Sequence, residues 1–305
     1  MKKVTFILGN GYDLDLGLRS RYCDFAKNKN QEWIDFVNME GTTIKQKFHV
    51  AFIDYIQKTA KEKENWFNVE EEIFNFVHDN NNLNDAQIGL IRLQYDILKN
   101  YLRRYLQNES ERFKPNENSL ALDLSKRLVM SENYIYTLSF NYTDCYDLCR
   151  LPKPKGRLLL VHGGLNQNNI ELGCREIENK KRNLQLDFMY KPHINLLSEI
   201  FLQNLETASE VIFFGHSLNR MDYCYFKDYF ENLEEGRKED KHLTIICKDS
   251  VSENQIIKEL AYNVSLSKIE KNIDLQFIYT DDRKEDNPKY HQLCERLNDF
   301  NAERY

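Results

Sequence analysis

The chain has 305 residues, 30% of them charged, and a formal net charge of −6, an acidic balance that gives no reason to expect nucleic acid as a partner. A chain of this length typically buries about 75% of its unfolded surface, and its seven cysteines include no Cys-x-x-Cys pair, so we expect reduced thiols, no metal and a cytoplasmic location. No apolar run approaches the roughly 20 residues that span a bilayer, so we expect no membrane association.

The first predicted element is a buried strand over residues 4–8 that ends in the glycine turn Gly9-Asn10-Gly11. Glycine has no Cβ, so the N–H groups of such a turn can approach a phosphate closely. Leu14 stands where the dinucleotide fingerprint has its third glycine. The turn alone therefore leaves two interpretations open, a plain turn and a nucleotide site. A short helix is predicted to follow, ending near Phe25.

Residues 31–131 lose the strand pattern and show helical periodicity. Asn68 with Glu71, and Asn84 with Gln87, have the capping-box spacing that starts a helix. Helices are predicted over about 44–61, from 68, after 84 and over about 119–130.

The helix after Asn84 carries apolar residues spaced 3-4-3-4-3, which is an a/d heptad seam. The seam consists of Ile88, Ile91, Tyr95, Leu98, Leu102 and Tyr105. It predicts packing inside a bundle and leaves open self-association into a homo-oligomer.

From Tyr134 onward, strands and helices alternate. Strands are predicted at 134–138, 157–161, 210–214, 242–247 and 275–279, with helices at about 143–150, 194–206, 221–235, 252–262 and 287–301. This alternation predicts an α/β fold, a Rossmann-like parallel sheet with helices on both faces. Residues 1–30 and 132–305 are expected to form this nucleotide-binding core, and 31–131 an all-helical insertion or cap.

Four predicted strands end in glycines and polar side chains. These ends are residues 9–13, 139–144, 162–164 and 215–222. The carboxyl ends of parallel strands lie at one edge of a sheet, where open α/β sheets bind their ligands. The sequence therefore predicts a small-molecule site at this edge.

These stretches resemble the AbiH family of bacterial phage abortive-infection proteins. The residues that carry the resemblance are Gly9-Asn10-Gly11-Tyr12-Asp13, Gly17-Leu18, Tyr22-x-Asp24-Phe25, Phe140-Asn141-Tyr142-Thr143, Val161-His162-Gly163, and Gly215-His216-Ser217-Leu218 with Asp222. The same motifs in the same order are similar to those of the sirtuin-like superfamily of NAD-binding proteins. The resemblance implies a sirtuin-like core that binds NAD, and antiphage defence by NAD depletion.

The resemblance also implies roles for individual residues. The cofactor-binding set would be Gly9, Asn10, Gly11, Asp13, Gly215, Ser217 and Asp222, with the first glycines on the pyrophosphate and Ser217 and Asp222 on the other ribose or the adenine. Asn141 would orient the nicotinamide ribose and a water, and His162 would act as general base. Glu70, which follows Trp66 in the insertion, would reach the site from the cap.

The chain departs from the sirtuin pattern at two positions. Arg19 stands where a proline is usual, and Thr143 replaces the usual Asp, although Asp144 is adjacent. Zinc-ribbon cysteines are missing, so protein deacylation is not expected. Cleavage of the nicotinamide N-glycosidic bond of NAD is the chemistry that remains.

Plainer roles compete for each candidate. His162 can be a strand-end histidine bonded to backbone, and Asn141 a helix cap or turn residue. Packing or capping is favoured for His216, and a first-turn carboxylate stabilised by the helix dipole is favoured for Glu70.

Three other functional classes stay open. Ser217 with Asp249 and His291 follows the residue order of an α/β-hydrolase, although Asn219 replaces the second glycine of the nucleophile elbow. A non-catalytic nucleotide sensor or scaffold fits the same residues, with a phage-derived or defence-system protein as trigger. Nucleic-acid binding has only two basic clusters in its support, 150–157 and 180–182.

Overall fold

The computed structural model describes residues 2–27, 30–38, 52–63, 68–167, 169–176, 181–191, 195–236, 240–282 and 284–299. Within these ranges six strands form one parallel sheet: β1 (Lys3–Leu8), β2 (Tyr134–Ser139), β3 (Gly156–Leu160), β4 (Glu210–Phe214), β5 (His242–Cys247) and β6 (Asp274–Tyr279). Their order is β3-β2-β1-β4-β5-β6, the doubly wound order of a Rossmann-like sheet. The predicted fold class is confirmed.

The helices are α1 (Asn10–Leu16), α2 (Tyr22–Phe25), α3 (Gln31–Asn38), α4 (Phe52–Glu62), α5 (Val69–Asp79), α6 (Asp85–Glu111), α7 (Leu120–Met130), α8 (Cys145–Leu148), α9 (Asn195–Thr207), α10 (Lys227–Glu235), α11 (Ser250–Asn263), α12 (Leu266–Asn272) and α13 (Pro288–Asp299). The sequence did not predict α1, α3 or α12. The first part of the helix predicted at 44–61 lies outside the described residues. No helix in the described part of the chain is both long and apolar enough to cross a bilayer.

Contacts between Cα atoms group the chain into two units. The first contains Met1–Leu18, Phe113–Gly164 and Ile194–Tyr305, and the second contains Arg19–Arg112 and Leu165–His193. This grouping places α7 with the sheet. The predicted domain division stays a prediction, because grouping by contacts does not test which segments fold independently.

The first unit is layered, with one apolar cluster on each face of the sheet. Successive side chains of a strand point to opposite faces, so Phe6 of β1 belongs to the cluster that includes residues of α1, α7 and α13, whereas Ile7 belongs to the cluster that includes residues of α9, α10 and α11. β1 from Val4 onward and all of β4 are buried on both faces and are mostly apolar, as is typical of central parallel strands. The two strands pair in register, Ile7 opposite Phe213, and this pairing fixes which loops meet at the carboxyl edge.

The second unit is built around α6. Asn84 caps this helix, and its bonds with Gln87 form the reciprocal capping box that the sequence predicts. Ile91, Leu98 and Leu102 of the heptad seam are buried, and the helix contacts α3 and α4 of the same unit. These seam residues therefore pack inside the chain, as predicted for a bundle helix, and self-association through this helix stays a prediction.

Candidate functional site

The glycine turn after β1 meets the turn after β4 at the point where the strand order reverses. A Cβ on Gly9 would lie 2.5 Å from the Cα of His216, and one on Gly11 would lie 2.6 Å from the Cα of Gly215. Gly215 has φ +63°, and its own Cβ would lie 2.4 Å from the Cα of Gly11. Only glycine allows the two backbones to approach this closely. These glycines thus join two loops at the expected ligand crevice of the sheet.

The N–H groups of this turn bond within the protein. Gly9 donates to the Phe214 carbonyl and Gly11 to the Gly215 carbonyl, each at 3.0 Å. Asn10 is exposed at the first residue of α1. The predicted contact of this loop with a pyrophosphate stays a prediction, and in this arrangement the Gly9 and Gly11 amides are already used.

Asp13, on α1, is buried and is held by two side chains that follow β2. Asn141 Nδ2 donates to Asp13 Oδ1 at 2.9 Å, and Thr143 Oγ1 donates to Asp13 Oδ2 at 2.7 Å. Asn141 Nδ2 also donates to the Gly9 carbonyl at 3.1 Å. Both Nδ2 hydrogens are therefore used, which leaves Oδ1 as the side-chain atom of Asn141 that can accept a hydrogen bond from a ligand.

Burial dominates the electrostatics of Asp13. Desolvation raises the pKa of its carboxyl group from 3.8 to about 7, while the hydrogen bonds from Thr143 and Asn141 act to lower it. The side chain therefore titrates near neutral pH.

His162 and Asp222 meet at the same edge, from the loops after β3 and β4. His162 Nε2 lies 3.4 Å from Asp222 Oδ1, and both residues are buried. Imidazole and carboxylate groups are the residue types that general acid–base catalysis uses most often, so this pair is a candidate for proton transfer.

His216 lies near this pair, and Phe140 packs against both histidines. The Phe140 ring centroid lies 5.4 Å from that of His162 and 4.5 Å from that of His216. His216 Nδ1 accepts the Leu218 N–H at 3.0 Å, which assigns the proton to Nε2. Burial lowers the pKa of His216 to about 4, so the ring is neutral at pH 7. The packing and turn-capping role predicted for His216 agrees with these contacts.

Ser217 differs from the buried candidates because it is exposed. Its Oγ accepts from Asn219 Nδ2 at 2.9 Å. Asp249 caps α11 by accepting from Ser252, and His291 lies against the Glu285 carbonyl. In the described part of the chain, no contact joins Ser217 to Asp249 or His291, so these residues do not form the triad of the hydrolase alternative.

Glu70 belongs to the second unit, as does Lys191, with which it forms an ion pair. Its Oε1 is 2.8 Å from Lys191 Nζ, and the Lys191 side chain is fully buried. Glu70 also lies in the first turn of α5, which Asn68 caps. Its predicted contribution to the site stays a prediction, and Trp66 lies outside the described residues.

The seven cysteines are free thiols. Burial raises the pKa of Cys149 to about 11 and that of Cys145 well above its ordinary value, so both stay protonated at neutral pH. Among the residues that the structure describes, no group of three or more His, Cys, Asp and Glu side chains is placed to hold a metal ion.

The contact between Thr143 and Asp13 was not predicted from the sequence, in which Thr143 stands out only as a departure from the sirtuin pattern. The sequence contained one indication of this contact. Thr143 supplies a hydroxyl group two residues after Asn141, on the loop that follows β2, and β2 pairs with β1.

A model of the family described as Bacteriophage abortive infection AbiH matches residues 5–239. The match covers more than half of the chain and includes every candidate site residue from Gly9 to Asp222. A comparison with curated proteins found no match.

Proposed function

Since the chain belongs to the AbiH family of bacteriophage abortive infection proteins, we propose that it binds NAD at the carboxyl edge of its sheet and hydrolyses the nicotinamide N-glycosidic bond. Hydrolysis breaks the bond between the ribose C1′ and the nicotinamide nitrogen, and the electron pair leaves with neutral nicotinamide. The oxygen of water forms the new bond to C1′, and one proton is released. The resulting loss of NAD would stop phage replication in the infected cell.

The observation that carries this proposal is the buried pair of His162 and Asp222, 3.4 Å apart at the sheet edge. His162 would take the proton from the attacking water, and Asp222 would stabilise the imidazolium that forms. A positioned base of this kind is worth about 10² to 10⁴ in rate.

Asn141 supplies the second element. Its Nδ2 hydrogens are used on Gly9 and Asp13, so its Oδ1 would accept a hydrogen bond from a hydroxyl group of the nicotinamide ribose. Fixing the ribose in this way aligns C1′ with the attacking water, since orientation of the reactants lowers the barrier.

The same side chains are closed off from solvent. Asp13, Asn141, His162 and Asp222 are each less than 9% exposed. The predicted trigger, a phage-derived or defence-system protein, would raise the basal activity by making these side chains more accessible to the substrate.

A nucleotide sensor without catalysis is the second candidate. It is favoured because the polar groups of the edge already bond within the protein. Asn141 and Thr143 donate to Asp13, and the Gly9 and Gly11 N–H groups donate to backbone carbonyls. In this alternative, the edge would hold the nucleotide and report it to a partner.

Calorimetric titration of NAD into the His162→Ala protein tests binding without turnover. We expect saturable binding by this variant, and nicotinamide release only by the wild type. Binding without release by either protein would favour the sensor. The lack of binding by both would overturn the nucleotide site.

A further inference from the structure

The carboxyl group of Asp13 is the most deeply buried titratable group of the site, with 1% of the residue exposed. It receives hydrogen bonds from one amide and one hydroxyl, Asn141 Nδ2 and Thr143 Oγ1. Among the described residues, none of its hydrogen-bond partners is cationic. A buried carboxyl group held only by neutral donors stabilises a fold poorly, since its desolvation is not offset by an opposite charge. The burial of Asp13 is therefore better explained by the side chain that its carboxyl group holds in place, that of Asn141.

Asp13 holds the side chain of Asn141 in one orientation. An Asn amide can rotate by half a turn and exchange its oxygen and nitrogen, which have nearly the same shape. Here two acceptors, Asp13 Oδ1 and the Gly9 carbonyl, select the nitrogen. The Asn141 backbone N–H donates to Ser139 Oγ at 3.2 Å, which fixes the main chain of the same residue. Oδ1 is thereby directed away from these acceptors.

Thr143 fixes the other oxygen of the carboxylate. Its hydroxyl donates to Asp13 Oδ2 at 2.7 Å, so the carboxylate cannot turn without losing this bond. In the loop after β2, Thr143 therefore holds the Asp13 carboxylate, and this carboxylate in turn orients the Asn141 side chain.

We propose that Asp13 is a positioning residue, which with Thr143 sets the Asn141 amide so that Oδ1 faces a hydroxyl group of the nucleotide ribose. This assignment replaces the direct cofactor contact that the family resemblance implies for Asp13. The positioning of Asn141 can be tested without a ligand, whereas its use by a ribose rests on the proposed function.

Hydrogen exchange of the Asn141 side-chain NH₂ measures the positioning directly. The full-length protein is labelled with ¹⁵N-asparagine, and the signal is assigned by its loss in Asn141→Ala. At pH 8, where the Asp13 carboxyl group is ionised, we expect slow exchange in the wild type and an increase of about tenfold or more in Asp13→Asn, because a neutral acceptor replaces a charged one. Thr143→Val keeps the carboxylate and the side-chain volume and should give a smaller increase. Asp15→Asn, which removes a carboxylate that bonds the Ala121 N–H instead, is the matched control and should change nothing.

Equal exchange rates in the wild type and Asp13→Asn would overturn the proposal, as would an equal increase in Asp15→Asn. Calorimetry with ADP-ribose then tests the use of Asn141. Asp13→Asn and Asn141→Ala should each weaken binding about tenfold, and the double variant no further, because the two residues act through one contact. Additive losses would contradict positioning. If wild-type protein does not bind ADP-ribose, the proposed function fails, and the exchange rates still decide whether Asp13 positions Asn141.

Discussion

Nε2 of His162 lies 3.4 Å from Oδ1 of Asp222, and the two residues follow different strands of the sheet. The parallel arrangement of β1, β2, β3 and β4 brings their carboxyl ends to one edge, so residues distant in sequence form a buried acid–base pair. Asp13 and Asn141 form a second contact at the same edge. Together these contacts make predictions about stability, titration and catalysis.

Gly11→Ala and Gly215→Ala should each destabilise the protein by about 2 kcal/mol or more, because the added methyl group overlaps backbone that cannot move away. The Cβ distances to backbone atoms are 2.6 Å and 2.4 Å. Urea unfolding measures the loss. Gly89→Ala is the control: a Cβ there has no neighbour within 4 Å, so this helix position should gain about 1 kcal/mol. Wild-type stability of both loop variants would show that the two turns do not pack as described.

The buried carboxyl group of Asp13 should make stability depend on pH. Burial raises its pKa from 3.8 to about 7, so the folded protein retains a proton that the unfolded chain releases. Stability from this group is fully present below about pH 4 and is lost as the pH rises to about 7. Relative to Asp13→Asn, the wild type should lose about 3 kcal/mol between pH 5 and pH 8.

His216 acts in the opposite sense. Burial lowers its pKa from 6.5 to about 4, so its contribution is present above about pH 6.5 and is lost as the pH falls to about 4. His216 is present in both the wild type and Asp13→Asn, so its contribution to stability cancels when the two proteins are compared. Parallel pH profiles of the two proteins would contradict a raised pKa for Asp13.

Thr143→Asp tests why a hydroxyl is found at this position. Thr143 Oγ1 is 2.7 Å from Asp13 Oδ2, so an aspartate would place a second carboxylate beside a buried one. We expect a loss of about 2 kcal/mol at pH 8 that largely disappears at pH 5, where the pair shares a proton. Thr143→Ser keeps the donor and should behave as the wild type. Equal stability of Thr143→Asp and the wild type at pH 8 would contradict the contact.

Glu70→Gln should destabilise the protein by about 3 kcal/mol, since it removes a carboxylate 2.8 Å from the fully buried ammonium of Lys191. Replacing both residues, in Glu70→Gln with Lys191→Met, should recover most of this loss. Chemical denaturation measures both effects. Nicotinamide release by Glu70→Gln separates the ion pair from a role in the site, because an unchanged kcat/KM would contradict a contribution of Glu70 to the reaction.

Much of the fold could be predicted from local patterns. The apolar runs of β4 and β5 fixed these strands to the residue, and the Asn84–Gln87 capping box fixed the start of α6. Helix α1 was missed because Gly9 and Gly11 suggested a loop, whereas the chain enters a helix directly at Asn10. Helix α12 was missed because its single buried residue, Ile269, gives no periodic pattern.

The candidate residues could be named from the sequence, but their mutual contacts could not. Asn141 and His162 stand at strand ends, which is a local signal. The bonds from Asn141 and Thr143 to Asp13 depend on the register of β1 against β2, which no single stretch encodes. The same is true of position 215, where glycine is required because the backbone lies against that of Gly11.

Release of nicotinamide from NAD, followed by chromatography, tests the central claim most directly. It is measured for the purified wild type, His162→Ala and the control His291→Ala, whose exposed side chain lies at hydrogen-bond distance from the Glu285 carbonyl. The proposed chemistry predicts at least a basal rate for the wild type, an equal rate for His291→Ala, and a rate about 10² to 10⁴ lower for His162→Ala. No release by the wild type, or release by His162→Ala at the wild-type rate, would contradict it.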